Sequence, residues 1–344
     1  MAPEYAVVGC LTLDSVITAD GRRYARAAGG NVLYTALGAR VWSSSVGIAS
    51  RAGRDYPTST LSGLVALDID VSGVRILDRP HEFLVAFAYT PDGHRTRVVP
   101  SEVLASLPPA ERGLYVDTTF DESLRLDYAA DPADLPGEWT AGTRGWHLAS
   151  LPRVKQAALS KHLRAATPAG TRLLADGVDA KDLGPGVVLT DFGYVAGLDA
   201  LLPSEADLTL PGQEEPFARM AAFHRLGVGT VVMKFGPRGS VVLTPGGSWH
   251  VPIADVEAVD PTGAGDAYCG GFLVGLTETA DPVEAAVYGT VAASFIVEAE
   301  GLPLQRAVPP EEATARALAV RRRVRRIRHD AQDLVPEPRK GCTC

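Results

Sequence analysis

Residues 260–266 are the part of this sequence best suited to chemistry. They read Asp-Pro-Thr-Gly-Ala-Gly-Asp, and an apolar helical pattern follows them. Small residues in front of a helix let backbone N–H groups converge on one point, where the helix dipole adds positive potential. The stretch therefore predicts an anion hole at Gly263, Ala264 and Gly265, with Asp266 beside the anion. For this fragment alone, an ordinary capped helix with packing glycines is the alternative.

The elements that would position this stretch follow a βα rhythm along the chain. Asp281 and Pro282, with Glu284 after them, predict the N-terminus of a long helix that Gly301 would end. Such alternation is typical of a mostly parallel sheet with helices on both faces. Buried strands are predicted at 5–10, 46–48, 146–148, 172–176 and 230–234, and helices at 31–40, 154–166, 217–226 and 265–276.

Residues 82–99 have a different pattern, which predicts a β-hairpin. Turn-forming residues occupy 90–93, and a basic segment follows them. We expect β-hairpin elements near 73–99 to form a small lid over a site, and a homodimer through the lid is an open alternative. One face of the first hairpin strand is apolar and aromatic, with Phe83, Val85, Phe87 and Tyr89.

Composition excludes several classes of function. The chain has 344 residues and a formal net charge of −8, so we do not expect nucleic acid as a partner. No apolar run approaches the roughly 20 residues of a membrane span, and the first residues lack a secretory pattern. The four cysteines show neither a disulfide framework nor zinc-ligand spacing. We therefore expect a reducing, cytoplasmic location.

One segment departs from the acidic composition. Residues 316–328 contain many arginines and no acidic residue, and apolar residues recur there at helical spacing. We predict that residues 311–344 form an Arg-rich terminal surface helix and a disordered tail, dispensable for chemistry. Binding of RNA or of an acidic partner is the alternative for this run.

Four motifs occur in the order in which a known family has them. In chain order they are Asp14, Gly29-Gly30-Asn31, Lys234-x-Gly236-x-x-Gly239 and the 260–266 stretch. With these motifs the sequence resembles the PfkB family of ribokinase-like carbohydrate kinases, from residue 5 to about residue 301. The resemblance implies a ribokinase-like α/β kinase domain over residues 1–310.

The resemblance also implies a reaction and a role for each motif. It implies transfer of the γ-phosphoryl group of ATP, with Mg²⁺, to a hydroxyl of a sugar, sugar-like polyol or nucleoside, and Asp266 would take the hydroxyl proton. The transferring phosphoryl group would be stabilised by Gly263, Ala264 and Gly265. The implied substrate ligands are Asp14, Gly29, Gly30 and Asn31. The implied nucleotide contacts are Lys234, Gly236, Gly239, Thr262, Gly263 and Gly265.

Some alternatives stay open at this point. From the residues alone, Asp14 in the loop after the first strand could be a turn-capping acid, and Lys234 an exposed strand-end lysine. The family's Asn-x-x-Glu segment is here Ser204-Glu-Ala-Asp207, so Asp207 would meet the metal through water. A sugar-phosphate kinase would need cations in the sugar pocket, and only lid arginines are available. A non-catalytic sugar- or nucleotide-binding regulator is the third alternative.

Overall fold

A computed structural model describes residues 1–90, 96, 98–177, 193–205, 216–304 and 307–328. None of the helices in these ranges is long and apolar enough to cross a membrane. The strands are β1 (Tyr5–Val8), β2 (Thr12–Ile17), β3 (Arg23–Gly29), β4 (Val46–Gly53), β5 (Ile69–Leu77), β6 (Leu84–Ala88), β7 (Gly145–Leu148), β8 (Arg172–Asp176), β9 (Ala200–Leu202), β10 (Thr230–Lys234), β11 (Ser240–Thr244), β12 (Gly247–Val251) and β13 (Arg325–Ile327). The α-helices are α1 (Asn31–Arg40), α2 (Thr58–Ala66), α3 (Ser101–Ser106), α4 (Pro109–Arg112), α5 (Glu122–Tyr128), α6 (Gly137–Gly142), α7 (Arg153–Ala166), α8 (Pro216–Arg225), α9 (Ala264–Thr279), α10 (Pro282–Val297) and α11 (Pro310–Arg321).

Ten strands form the main sheet, in the order β13-β12-β11-β10-β9-β8-β7-β1-β4-β5. Within this sheet order, the seven strands β10-β9-β8-β7-β1-β4-β5 all pair in parallel. Strands β11, β12 and β13 continue the sheet in antiparallel pairing. Neighbouring side chains of a strand enter different cores, as Val7 and Val8 do. One core includes α1, α9 and α10, and the other includes α7 and α8. The predicted mostly parallel sheet with helices on both faces is confirmed.

A second sheet of three strands, in the order β3-β2-β6, forms the small sheet. Strand β6 pairs in parallel with β2, and the Thr96 N–H donates to the Ala88 carbonyl at 2.8 Å, as a return strand of the predicted hairpin would. The predicted turn and return strand fall largely on residues 91–95 and 97, outside the described residues. Residues 73–77, expected in the lid, belong to β5 of the main sheet instead. The aromatic face is covered by the chain itself at Phe83 and Phe87, which are buried.

The Arg-rich segment is not the continuous surface helix that its spacing predicts. Helix α11 ends at Arg321, and β13 then pairs with β12 at the edge of the main sheet. The helix buries Ala317 and Val320 against the core. The Arg316 guanidinium lies 4.0 Å from the centre of the Phe295 ring and 2.9 Å from Glu298 Oε2. The pattern failed here because residues 325–327 pair with β12, a partner that the local sequence does not show.

Helices α1 and α9 cross at very short distance through two glycines. A Cβ atom at Gly38 would overlap the backbone of Ala267, and one at Gly270 would overlap the Thr35 carbonyl oxygen. Side chains at these positions would keep the two helices apart. The crossing therefore fixes the N-terminus of α9, which carries the 260–266 stretch, relative to α1.

Candidate active site

The 260–266 stretch forms a tight loop at the N-terminus of α9. Gly263 is the N-cap residue and has a left-handed backbone, with φ 76°. A Cβ atom there would overlap the Tyr34 ring of α1, so the loop lies directly on that ring. The Ala264 N–H, expected to face the anion, instead donates to the Pro261 carbonyl at 3.2 Å. The remaining N–H groups of the first turn have no acceptor within a regular helix, so they suit a bound anion.

Asp260 ties this loop to the C-terminal end of α10. Its Oδ1 accepts a hydrogen bond from the Thr262 N–H at 2.9 Å, and its Oδ2 accepts one from the Gly301 N–H at 3.2 Å. The Asp260 N–H donates to the Val297 carbonyl at 3.1 Å. Asp260 is thus a structural residue of the loop, whereas Asp266 lies one helical turn further, in the first turn of α9.

Lys234 at the end of β10 is buried beneath the loop rather than exposed, with 8% of its surface accessible. Its Nζ lies 2.8 Å from Asp176 Oδ1, 3.4 Å from the Gly265 carbonyl oxygen and 3.2 Å from Cys269 Sγ. Burial raises the pKa of the Cys269 thiol well above its usual value, so this cysteine is a protonated packing group. The positive charge of Lys234 is therefore held under the anion hole by a buried carboxylate.

The other predicted nucleotide contacts follow Lys234 in a short turn. The Gly239 N–H donates to the Gly236 carbonyl at 3.0 Å. The segment that begins at Ser204, which differs from the Asn-x-x-Glu motif, runs alongside this turn. Ser204 forms a β-bridge with Lys234, and the Glu205 N–H donates to the Lys234 carbonyl at 3.0 Å. The structure thus brings these two motifs together. Asp207, the predicted metal contact, lies outside the described residues.

Asp14 lies in strand β2, not in the loop that the sequence predicts. Its Oδ1 accepts a hydrogen bond from the Thr12 hydroxyl at 2.6 Å. A Cβ atom at Gly29 on β3 would overlap the Asp14 carboxylate, so this glycine makes room for it. Asp14 is therefore carried by the small sheet and lines the cleft between that sheet and the loop at 260–262.

Asn31, the first residue of α1, has its amide group engaged with the main chain. Its Oδ1 accepts from the Cys10 N–H at 2.9 Å, and its Nδ2 donates to the Ser150 carbonyl at 2.9 Å. The side chain thus joins the segments that follow β1 and β7. Gly30 before it is the N-cap of α1. Asn31 therefore ties the N-terminus of α1 to the segments that follow β1 and β7.

Tyr34 is a site residue that the sequence analysis missed. Burial, and then the negative charges of Asp14, Asp260 and Asp266, raise the pKa of its hydroxyl far above the usual value. The hydroxyl therefore stays protonated and can donate a hydrogen bond. Within a helix of buried apolar residues Tyr34 is indistinguishable from a core residue, and the sequence holds no signal that separates the two.

The cleft has a volume of about 480 Å³. Asp14 and Tyr34 lie along it with the 259–262 loop, and Tyr89 spans it, since its hydroxyl lies 2.7 Å from the Thr262 hydroxyl. Groups of three or more His, Cys, Asp or Glu that could hold a metal ion do not occur among the described residues. The arrangement offers an anion site at one end and a hydroxyl-binding site with carboxylates beside it.

Comparison with known proteins finds similarity to carbohydrate and nucleoside kinases. Residues 148–305 match the model of the pfkB family carbohydrate kinases. A cytidine kinase of Thermococcus kodakarensis is 26% identical over 287 residues, which are 79% of this chain and 88% of that protein. Residues 148–305 are thus similar to the PfkB family.

Two solved structures of other proteins have the same fold as this chain. Ribokinase from Giardia lamblia has a TM-score of 0.67 at 17% identity, covering 93% of this chain and 99% of that one. Ribokinase from Arabidopsis thaliana, solved with ribose and ATP, has a TM-score of 0.63 at 19% identity, covering 92% and 99%. The predicted ribokinase-like fold is confirmed.

Proposed function

We propose that the chain is a phosphotransferase that moves the γ-phosphoryl group of ATP to a hydroxyl of a sugar, polyol or nucleoside. The observation that carries the proposal is the position of Tyr34. Its ring supports Gly263 of the anion hole, and its hydroxyl lies in the field of both Asp14 and Asp266. An acceptor hydroxyl at this tyrosine would therefore face a carboxylate and the phosphoryl site together, which in-line transfer requires.

Each group has a distinct part in the proposed reaction. The N–H groups at Gly263 and Gly265 stabilise charge on the transferring phosphoryl oxygens. Asp266 orients the attacking hydroxyl and takes its proton. The helix dipole keeps an aspartate at this position ionised, so it is a weak base. In a loose transition state the proton leaves late, so orientation contributes more than basicity. Asp14 accepts hydrogen bonds from the other hydroxyls of the acceptor.

ATP and Mg²⁺ are part of the proposal. The Arabidopsis thaliana ribokinase structure holds ATP, and Lys234 beneath the anion hole adds positive charge where a nucleotide phosphate would lie. Mg²⁺ is usually held by one or two carboxylates together with substrate phosphates, so a protein cage is not needed. When bound, the ion would neutralise phosphate charge.

Substitution Asp266→Asn tests this proposal. The amide is isosteric but neither takes a proton nor carries charge, so we expect kcat to fall by about 10²–10⁴ with the fold intact. Asp281→Asn is the matched control. Asp281 is the N-cap of α10, where its carboxylate accepts from the Val283 and Glu284 N–H groups. It follows α9, a helix ~24 Å long. Because asparagine also accepts at an N-cap, Asp281→Asn should cost less than about 1 kcal/mol of stability with kcat unchanged.

The measurement is ADP release with a panel of pentoses, hexoses, inositols and nucleosides. A normal kcat in the Asp266→Asn variant would refute the assignment of the base. Ligand binding without turnover across the panel would favour a non-catalytic regulator. We also propose a cytoplasmic location and a homodimer through the lid. Light scattering that shows a monomer at every concentration would refute the dimer.

A further inference from the structure

The cleft extends well beyond the place where one sugar ring would meet Asp14. Along β2, Asp14, Val16 and Thr18 all line it. Side chains two residues apart lie on the same face of a strand, and each residue advances by about 3.3 Å. The cleft therefore continues for about 13 Å from Asp14 to Thr18 along the small sheet. Its volume of about 480 Å³ falls in the range of pockets that hold drug-sized ligands.

The walls of the outer part are more apolar than a single sugar requires. Val16 and Ala28 of the small sheet face the cleft, and Leu302 closes it from the end of α10. The Tyr89 ring also lines it, held edge-on by Phe87 at 5.6 Å between ring centres. Apolar and aromatic walls favour a flat, apolar ring over a second set of hydroxyl groups.

The charge of the lining argues against an anionic acceptor. Four carboxylates line the described part of the cleft, and the one cation among these lining residues is Arg22. Its guanidinium already lies 2.7 Å from Asp20 Oδ2 and 2.5 Å from Glu300 Oε1. A phosphate or carboxylate on the acceptor would meet net negative charge here.

We infer that the acceptor is an uncharged nucleoside, with its sugar at Asp14 and Tyr34 and its base in the outer cleft against Tyr89. This inference rests on the proposed function and narrows its acceptor. Binding by the base brings no new interaction to the reacting hydroxyl, so it lowers KM more than it raises kcat. The hydroxyl that is phosphorylated lies at the Tyr34 end, next to the anion hole.

The test compares acceptors by ADP release with the full chain, using ribose, glucose, ribose 5-phosphate, cytidine, uridine, adenosine and guanosine. We expect at least one nucleoside to have a kcat/KM about tenfold or more above those of ribose, glucose and ribose 5-phosphate. A monosaccharide that equals every nucleoside would overturn the inference and leave the proposed function standing. Ribose 5-phosphate as the best acceptor would do the same.

If no acceptor is turned over, calorimetry with the same compounds and a non-hydrolysable ATP analogue separates the two proposals. A nucleoside that binds more tightly than ribose would support the inference while refuting the proposed function. Equal binding of ribose and nucleosides, or no binding of either, would overturn the inference.

Two substitutions at Tyr89 separate its ring from its hydroxyl. Tyr89→Leu removes the ring and should raise KM for the preferred nucleoside by about 10- to 100-fold, and by clearly more than it raises KM for ribose. Tyr89→Phe is the matched control, because it removes the contact with Thr262 and keeps the ring. It should change the nucleoside KM by less than about threefold. Equal effects of the two variants would show that the ring does not hold a base.

Discussion

Replacement of Lys234 by methionine would leave the Asp176 carboxylate buried without its cation. The two side chains are about nine-tenths buried, and Nζ lies 2.8 Å from Oδ1. At an effective dielectric constant of about 20, this separation corresponds to about 6 kcal/mol of attraction. Desolvation of both charges offsets much of that energy, and breaking such a pair typically costs about 3–5 kcal/mol. We expect the free energy of unfolding to fall by that amount in Lys234→Met.

The double variant Lys234→Met, Asp176→Leu is compared with the single variant Lys234→Met. It removes both charges and fills their space with apolar groups, which is often neutral or stabilising. We expect its stability to return to within about 1 kcal/mol of the wild type, as measured by urea unfolding followed by tryptophan fluorescence. The reasoning fails if Lys234→Met costs less than about 1 kcal/mol, or if the double variant is less stable than the single one.

The same double variant tests the predicted nucleotide role of Lys234. Because Nζ lies 3.4 Å from the Gly265 carbonyl, its charge contributes to the potential at the anion hole from below. A folded double variant should therefore show a raised KM for ATP. The rise should be at most about tenfold, because the opposing Asp176 charge is removed together with that of Lys234. An unchanged KM and kcat would assign Lys234 to stability alone.

Three further outcomes are expected from urea unfolding of other variants. Burial lowers the pKa of His147 to about 4, so the folded state resists a proton that the unfolded state binds below about pH 6.5; stability should fall between pH 6.5 and 4. His147 should contribute about 2 kcal/mol to this loss at pH 5, and His147→Leu should remove that share. The share of His81, whose pKa burial also lowers to about 4, should remain. Deletion of residues 310–344 should cost about 2 kcal/mol or more, because it uncovers the core around Val320 and the β12 edge. Gly270→Ala should cost more than about 2 kcal/mol, because its Cβ meets backbone, whereas Gly137→Ala, in open space, should change stability by less than about 0.5 kcal/mol.

The sequence predicted the elements whose burial shows in their own pattern. The bounds of α1, β8 and β10 agree with the predictions, since apolar residues dominate each of these segments. Strand β3 was missed because most of its residues are exposed, so no alternation marks it. Strand β13 contains two exposed arginines and exists because β12 offers an unpaired edge. Neither property can be inferred from local periodicity.

The residues of the candidate site divide in the same way, into those that the local sequence marks and those that only a tertiary contact defines. The 260–266 loop and Asp14 were found because polar and small residues are conspicuous between apolar strands. The partner of Lys234 was not found, because Asp176 at the end of a buried strand resembles any strand-terminal acid. Tyr34 was missed since its role depends on a glycine 229 positions away in the chain, Gly263, lying on its ring. Such a contact is set by the crossing of α1 and α9.

The crossing of α1 and α9 at Gly38 and Gly270 also separates two proposed tasks, binding of the acceptor and transfer of the phosphoryl group. Because the two helices touch backbone to backbone, Tyr34 and the loop at Gly263 cannot slide past one another without unpacking the core. Under the proposed function, adaptation to a new acceptor would involve strands β2, β3 and β6, together with Tyr89 and Leu302 beside them. Substitutions in those three strands, engineered or natural, would exchange one acceptor for another while Tyr34 and the loop at Gly263 keep their relative positions.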